Sequence, residues 1–406
     1  MPGEVEVDMA ATMTSVTLDV GVPGLAPADR LHSGRLRQAY GFDDVAIVPG
    51  SVTVDPAEVD LSWTLGPYQL RLPVLAAAMD GVVDPPFAIQ LGRLGGLAVL
   101  NLEGLQTRYE RPSEQLAAIA EAPAERVTGL MQELYQAPIR DELVERRVGE
   151  IKAGGVLAAV SATPSMAERL GPLAVGAGAD VFVVQSTVTT ARYLSSGPHL
   201  DFERFCCAVR APVVVGNCVS FSAALELIAT GIAGLLVGVG PGAACTSREV
   251  LGIGVPQVTA TMDCAQARDL YYRESGRYVP VITDGGMRTG GDVCKAIASG
   301  ADAVMLGSPF AQTLEAPGEG HHWGMATPHS ALPRGTRIRV GVSGSLEQAL
   351  FGPTSRTDGT QNLIGALRTS MGACGVTSIS EMHGVEMVIA PAIKTEGKAW
   401  QLAGAT

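Results

Sequence analysis

The stretch PVITDGGMRTGGDVCKAIASGADAVMLGS, residues 280–308, contains the repeating unit of this chain. A short apolar run ends at Asp284, a glycine turn follows, residues 291–299 carry a helical pattern, and a second apolar run ends at Gly307. Apolar runs of four or five residues suit strands buried on both faces, and an intervening helix supplies the parallel crossover. Working outward, the same kind of run recurs at 72–76, 97–101, 156–160, 181–185, 213–217 and 235–239, and helical patterns fall at 85–94, 165–177 and 220–230. Eight strand-helix units over about 240 residues predict a (β/α)8 barrel, with a doubly wound open sheet as the competing arrangement. Asn101, Gln185, Asn217, Gly238, Gly240, Asp284, Gly307 and Ser308 close these runs, so a barrel gathers them on its C-terminal rim, where such folds build their sites.

The 406 residues are 47% hydrophobic and 17% charged, enough to bury a large core. A net charge of −12 argues against a nucleic-acid footprint or a polybasic membrane patch, and favours a small-molecule ligand. No apolar run reaches the roughly 18 residues of a membrane span, and the acidic start lacks the features of a secretory leader. Seven cysteines without a CxxC pair indicate reduced thiols, the non-catalytic ones buried as small hydrophobes. A cytoplasmic protein is expected.

Two regions interrupt the rhythm. Residues 102–153 are about twice the usual connection and read as a helical excursion. Residues from about 320 to 360 read as a mobile flap over the rim, followed by a helix at 362–372. Residues 1–38, rich in small residues, read as a loosely ordered extension, leaving 39–406 as one barrel domain.

Chemistry concentrates on the rim. In Gly238-Val-Gly-Pro-Gly-Ala-Ala-Cys-Thr-Ser-Arg248 three glycines fall within five residues, so the backbone can turn its carbonyls or amides inward to hold an ion. Cys245 on that loop is a candidate nucleophile; a buried structural thiol is the alternative. Asp284-Gly-Gly286 and Gly307-Ser308 follow the seventh and eighth runs, where barrels commonly bind phosphate through backbone N–H groups, and the carboxylate suits ribose hydroxyls. His321 and His322 lack further ligands at metal spacing and read as a solvated pair on the flap.

Several of these stretches, with Phe42-Asp-Asp-Val45, Ala78-Met-Asp80, Gly95-Gly-Leu-Ala-Val99, Val215-Gly-Asn217, Gly254-Val-Pro-Gln257, Asp284-Gly-Gly-Met-Arg288, Gly300-Ala-Asp-Ala-Val-Met-Leu-Gly-Ser308 and Ala316-Pro-Gly-Glu319, resemble IMP dehydrogenase in order along the chain. The related GMP reductases share much of the barrel. The resemblance implies an NAD-dependent oxidation of IMP to XMP in guanine nucleotide synthesis, with Cys245 attacking C2 of the hypoxanthine ring and Ser247 beside it. It also implies that Asp284 holds the ribose, that Gly285, Gly286, Gly307 and Ser308 hold the phosphate, and that Met79, Gly324 and Met325 border the base. Asn217, Gly238 and Gly240 would face the nicotinamide, and the carbonyls of Gly240, Gly242 and Cys245 would hold a potassium ion. A homotetramer or homo-octamer is implied as well.

The sequence departs from the family at several places. The regulatory CBS pair is missing, since residues 102–153 are too few to hold it. Ala243 and Ala77 replace serines, Ser247 replaces a threonine, and Gln185 stands in place of an aspartate near the cofactor ribose. Val340 falls where a base-reading amide or carboxylate is expected. The family's Arg-Tyr flap pair has no match; Arg334 is the candidate for activating water, with Arg337 and Arg339 as alternatives. The competing activities are an NADPH-dependent GMP reductase and a purine-nucleotide-binding regulator with little turnover.

Overall fold

The computed structural model describes residues 36–197, 199–324 and 337–391. Eight strands form a closed parallel barrel: β1 (Val74–Ala76), β2 (Leu97–Asn101), β3 (Ala159–Ala162), β4 (Val181–Gln185), β5 (Val213–Cys218), β6 (Gly234–Val237), β7 (Val281–Asp284) and β8 (Ala303–Leu306). Each pairs with its sequence neighbours and β8 returns to β1, so the open-sheet alternative is excluded. The third strand starts later than the apolar pattern suggested, because Gly154 and Gly155 end the preceding helix and residues 156–158 are still approaching the barrel.

Alternation along the strands produces two apolar layers. Leu75, Leu97, Val99, Ala159, Val183, Val214, Leu236, Ile282 and Met305 fill the barrel interior together with Trp63, Leu65 and Leu70 of the hairpin formed by residues 63–70. Val74, Leu100, Val160, Phe182, Val215, Leu235, Val281 and Val304 face outward into the ring of helices. Truncating an interior leucine such as Leu236 to alanine would cost about 2–5 kcal/mol.

The crossover helices begin and end where local chemistry requires. In α1 (Pro85–Leu94), the Asp84 carboxylate accepts from the Phe87 N–H at 2.8 Å and Pro85 opens the first turn. The helical excursion comprises α2 (Pro112–Glu121), α3 (Ala124–Leu134) and α4 (Asp141–Ala153). It closes over Trp323: the indole donates to the Tyr135 hydroxyl at 2.9 Å, and that hydroxyl donates to Asp80 Oδ2 at 2.5 Å. Further crossovers include α5 (Pro164–Gly176), α6 (Phe202–Ala208), α7 (Phe221–Ala229), α8 (Ser247–Leu251), α9 (Gln257–Ser275) and α10 (Gly290–Ala298).

The region read as a mobile flap holds more regular structure than expected. His321–His322 pairs with Ile338–Arg339, and Leu346–Phe351 is a helix with a Ser345/Gln348 capping box. Residues 325–336, including Met325 and Arg334, lie outside the described residues, as do residues 1–35. Outside the barrel, Val45–Ile47 pairs antiparallel with Met387–Ile389. All seven cysteines are free; Cys207 is exposed and Cys206 and Cys374 are half-buried, which corrects the expectation that the non-catalytic six lie in the core. No helix among the described residues is long and apolar enough to cross a membrane.

Candidate active site

A cleft of about 840 Å³ opens at the C-terminal ends of the strands. Met79, Asn217, Gly238, Gly240, Gly242, Cys245, Ser247, Asp284, Gly285, Gly286, Gly307, Ser308 and Gly324 all line it, so the described nucleophile, substrate, cofactor and ion candidates meet in one place, whereas the alternative water-activating arginines, Arg337 and Arg339, do not line it.

The loop after β6 carries Cys245. Its N–H donates to the Gly242 carbonyl at 3.0 Å, closing a turn, and its thiol donates to the Ser247 hydroxyl at 3.2 Å. Ser247 is buried at the start of α8. Once the sulfur is deprotonated, that hydroxyl can turn its own proton toward it. Gly238 cannot be replaced: it has φ of 148°, and a Cβ there would come within 2.2 Å of the Asp284 carbonyl oxygen. Gln257 fixes the same junction, its amide nitrogen donating to the carbonyls of Val237 at 2.7 Å and Asp284 at 3.1 Å.

Asp284 ends β7. Its Oδ2 accepts from Asn217 Nδ2 at 2.8 Å and Gln185 Nε2 at 2.9 Å, so residues from three strands converge on one oxygen. Burial raises this carboxyl to about 6, with both amide donors pulling the other way. Next to it, Gly286 has φ of 82°, and a Cβ would meet Pro241 at 3.0 Å, so the turn after β7 lies against the cysteine loop. The N–H groups of Gly286, Gly307 and Ser308 donate no hydrogen bond to the described residues. They can serve an anionic oxygen.

His322 was missed as a site residue. It is buried rather than solvated, lines the cleft, and its Nε2 lies 2.9 Å from the Ser308 hydroxyl. Burial lowers it to about 4, so it is neutral at pH 7. The opposite wall, after β2, β3 and β4, holds Asn101, Glu103, Ser161, Thr163, Gln185 and Thr187. Of these, sequence motifs singled out only Asn101 and Gln185. Among the water-activating candidates, Arg337 donates to the carbonyls of Ile119 and Ala120, which hold it against α2, and Arg339 lies on the exposed face of its short strand.

The features above define a class: a (β/α)8 barrel bearing a cysteine on a glycine loop of its rim, opposite unpaired backbone donors. The sequence profile of the IMP dehydrogenase / GMP reductase domain matches residues 39–398, and the chain belongs to that family. It is 42% identical over 363 residues to an uncharacterized oxidoreductase of Mycolicibacterium smegmatis, covering 87% of this chain and 97% of that protein. It is 28% identical over 468 residues to the inosine-5'-monophosphate dehydrogenase of Methanocaldococcus jannaschii, covering 86% and 91% of the two chains. The crystal structure of an IMP dehydrogenase/GMP reductase-like protein from Corynebacterium glutamicum superposes with a TM-score of 0.83 at 35% identity, covering 88% of this chain and 96% of that one.

Proposed function

We propose that this protein is an oxidoreductase that converts IMP to XMP with NAD. The observation that carries the reading is the single cleft in which Cys245 with its Ser247 partner faces Asp284 and the unpaired N–H groups of Gly286, Gly307 and Ser308. A nucleoside 5'-monophosphate offers a phosphate to the N–H cluster and ribose hydroxyls to the carboxylate, which brings the base over the cysteine.

The Cys245 thiolate adds to C2 of the hypoxanthine ring and forms an S–C bond. C2 then loses its hydrogen with the electron pair, leaving a thioimidate on the enzyme. Oxidised nicotinamide supplies the chemistry of accepting that hydride. Water adds to C2, the S–C bond breaks, and the thiolate returns with XMP and a proton released. Ser247 stabilises the departing sulfur through its hydroxyl. The second half of the cleft, walled by Asn101, Ser161, Gln185 and Thr187, is polar and open enough for a flat amide-bearing ring. Gly240, Gly242 and Cys245 offer backbone carbonyls, an all-oxygen donor set suited to potassium, which would order the cysteine loop.

Incubating the protein with IMP and NAD⁺, and separately with GMP and NADPH, while following reduced-nicotinamide absorbance, tests the reading. Production of NADH with XMP supports it. NADPH consumption with GMP replaces it by a reductase, and nucleotide binding without turnover in either mixture by a regulator.

A further inference from the structure

The mechanism above leaves unused the one acidic residue of the cleft lining that is both buried and outside the nucleotide side, Glu103. Glu103 follows β2, is only 9% exposed, and lines the cleft. Its Oε2 accepts from the Thr163 N–H at 2.5 Å, and its own N–H donates to Asn101 Oδ1 at 2.9 Å. Among the described residues no lysine, arginine or histidine forms an ion pair with the carboxylate. The cationic side chains of the cleft belong to the other wall. Arg248 donates to the Val255 carbonyl, and Arg288 pairs with Asp43 at 2.8 Å. Arg108 approaches Glu103 through its carbonyl, which accepts from Nε at 3.1 Å.

A buried carboxylate with one backbone donor and no counterion is costly unless a ligand completes its surroundings. The nucleotide does not do so in the proposed arrangement, because its phosphate and ribose are held after β7 and β8 and its base reaches toward Cys245 after β6, the strand opposite β2 in the barrel. The second ligand therefore enters the half of the cleft that Glu103 faces. Oxidised nicotinamide differs from reduced nicotinamide by a positive charge on the ring.

We propose that Glu103 makes this site selective for a cationic, oxidised nicotinamide ring over its neutral reduced form. This rests on the functional reading above and extends it. The carboxylate attracts the pyridinium across the cleft, while the reduced ring gains nothing from it. Thr163 N–H and the Asn101 amide hold the glutamate in place, so the charge is fixed before the ligand arrives. Loss of the ring charge on hydride acceptance then weakens the attraction and favours release of the reduced cofactor.

The test is a binding measurement without turnover. Cys245→Ala protein saturated with IMP is titrated calorimetrically with NAD⁺ and with NADH, with and without Glu103→Gln, which keeps an oxygen for the Thr163 N–H. The expected result is an NAD⁺ dissociation constant about tenfold weaker in the glutamine variant and an NADH constant changed less than twofold. Glu103→Asp, which keeps the charge, should retain most of the preference. Equal changes for both cofactors, or none, overturn the proposal and leave the proposed function standing. Failure of the Cys245→Ala protein to bind either cofactor overturns both. The wild-type chain gives an independent check through small fragments: N-methylnicotinamide cation should bind more tightly than neutral nicotinamide. The reverse order overturns the proposal even where the variants do not fold.

Discussion

Two walls of one cleft are made from different materials. After β6, β7 and β8 the cleft presents mainly backbone: the glycine turns 238–242 and 285–286 and the N–H groups of Gly307 and Ser308. After β2, β3 and β4 it presents side chains: Asn101, Glu103, Ser161, Gln185 and Thr187. Backbone donors are neutral, rigid and independent of side-chain identity, so they suit a group that never changes, such as a phosphate. Side chains can carry charge and can be exchanged singly, so they suit a ligand whose electronic state alters during the reaction. Cys245 and Asp284 sit where the two materials meet.

The division can be broken most severely at Cys245. Cys245→Ala should lower turnover by more than about 10⁴-fold, since the cysteine loop holds no other thiol. IMP affinity, measured by calorimetry, should stay within about twofold, because the backbone wall is untouched. Next in size is the hydrolytic step. If Arg334 activates water, Arg334→Ala should slow steady-state turnover by about 10²-fold or more while leaving a first-turnover burst of NADH. Mass spectrometry of the quenched protein should then find a covalent adduct on Cys245; equal loss of burst and steady state would move Arg334 into substrate binding.

Asp284→Ala should weaken IMP binding by about 2 kcal/mol, roughly thirtyfold, through loss of charged hydrogen bonds to the ribose. Asp284→Asn sharpens the same point through pH. A carboxyl raised to about 6 by burial destabilises the folded protein once ionised. That cost is absent below about 3.8, grows between 3.8 and 6, and is complete above 6. The asparagine variant should therefore melt a few degrees above wild type at pH 8, with the difference shrinking toward pH 4. The smallest expected effect is on the ion: potassium should raise activity several-fold over lithium or tetramethylammonium, and a flat response would free the glycine carbonyls from that role.

The barrel was legible because strands buried on both faces leave compact apolar runs such as 213–217 and 303–307, and because each is punctuated by a glycine or polar residue at its rim end. The cysteine loop was legible for a related reason: glycines this dense signal a backbone that must turn inward. Other features depend on contacts that no local pattern records. Gln185 reaches Asp284 across 99 positions of sequence, and His322 becomes buried through pairing with Ile338 and the Ser308 hydroxyl. Glu103 sat inside a segment read only as a helical excursion. A single glutamate between Leu102 and Gly104 has no periodicity to distinguish it from a solvated one.

The strand pair outside the barrel bears on how the site comes into being. The cleft's lip is Gly41–Asp44, and Val45–Ile47 is pinned beneath it by Met387–Ile389, with the Asp44 carbonyl accepting from the Ala390 N–H at 2.8 Å. During synthesis the lip is thus among the first described segments made, yet it must wait for residue 389 before it can be clamped. A nascent chain that has completed all eight strands still has an unfinished mouth. The order of translation itself keeps a half-made protein from presenting a finished cleft.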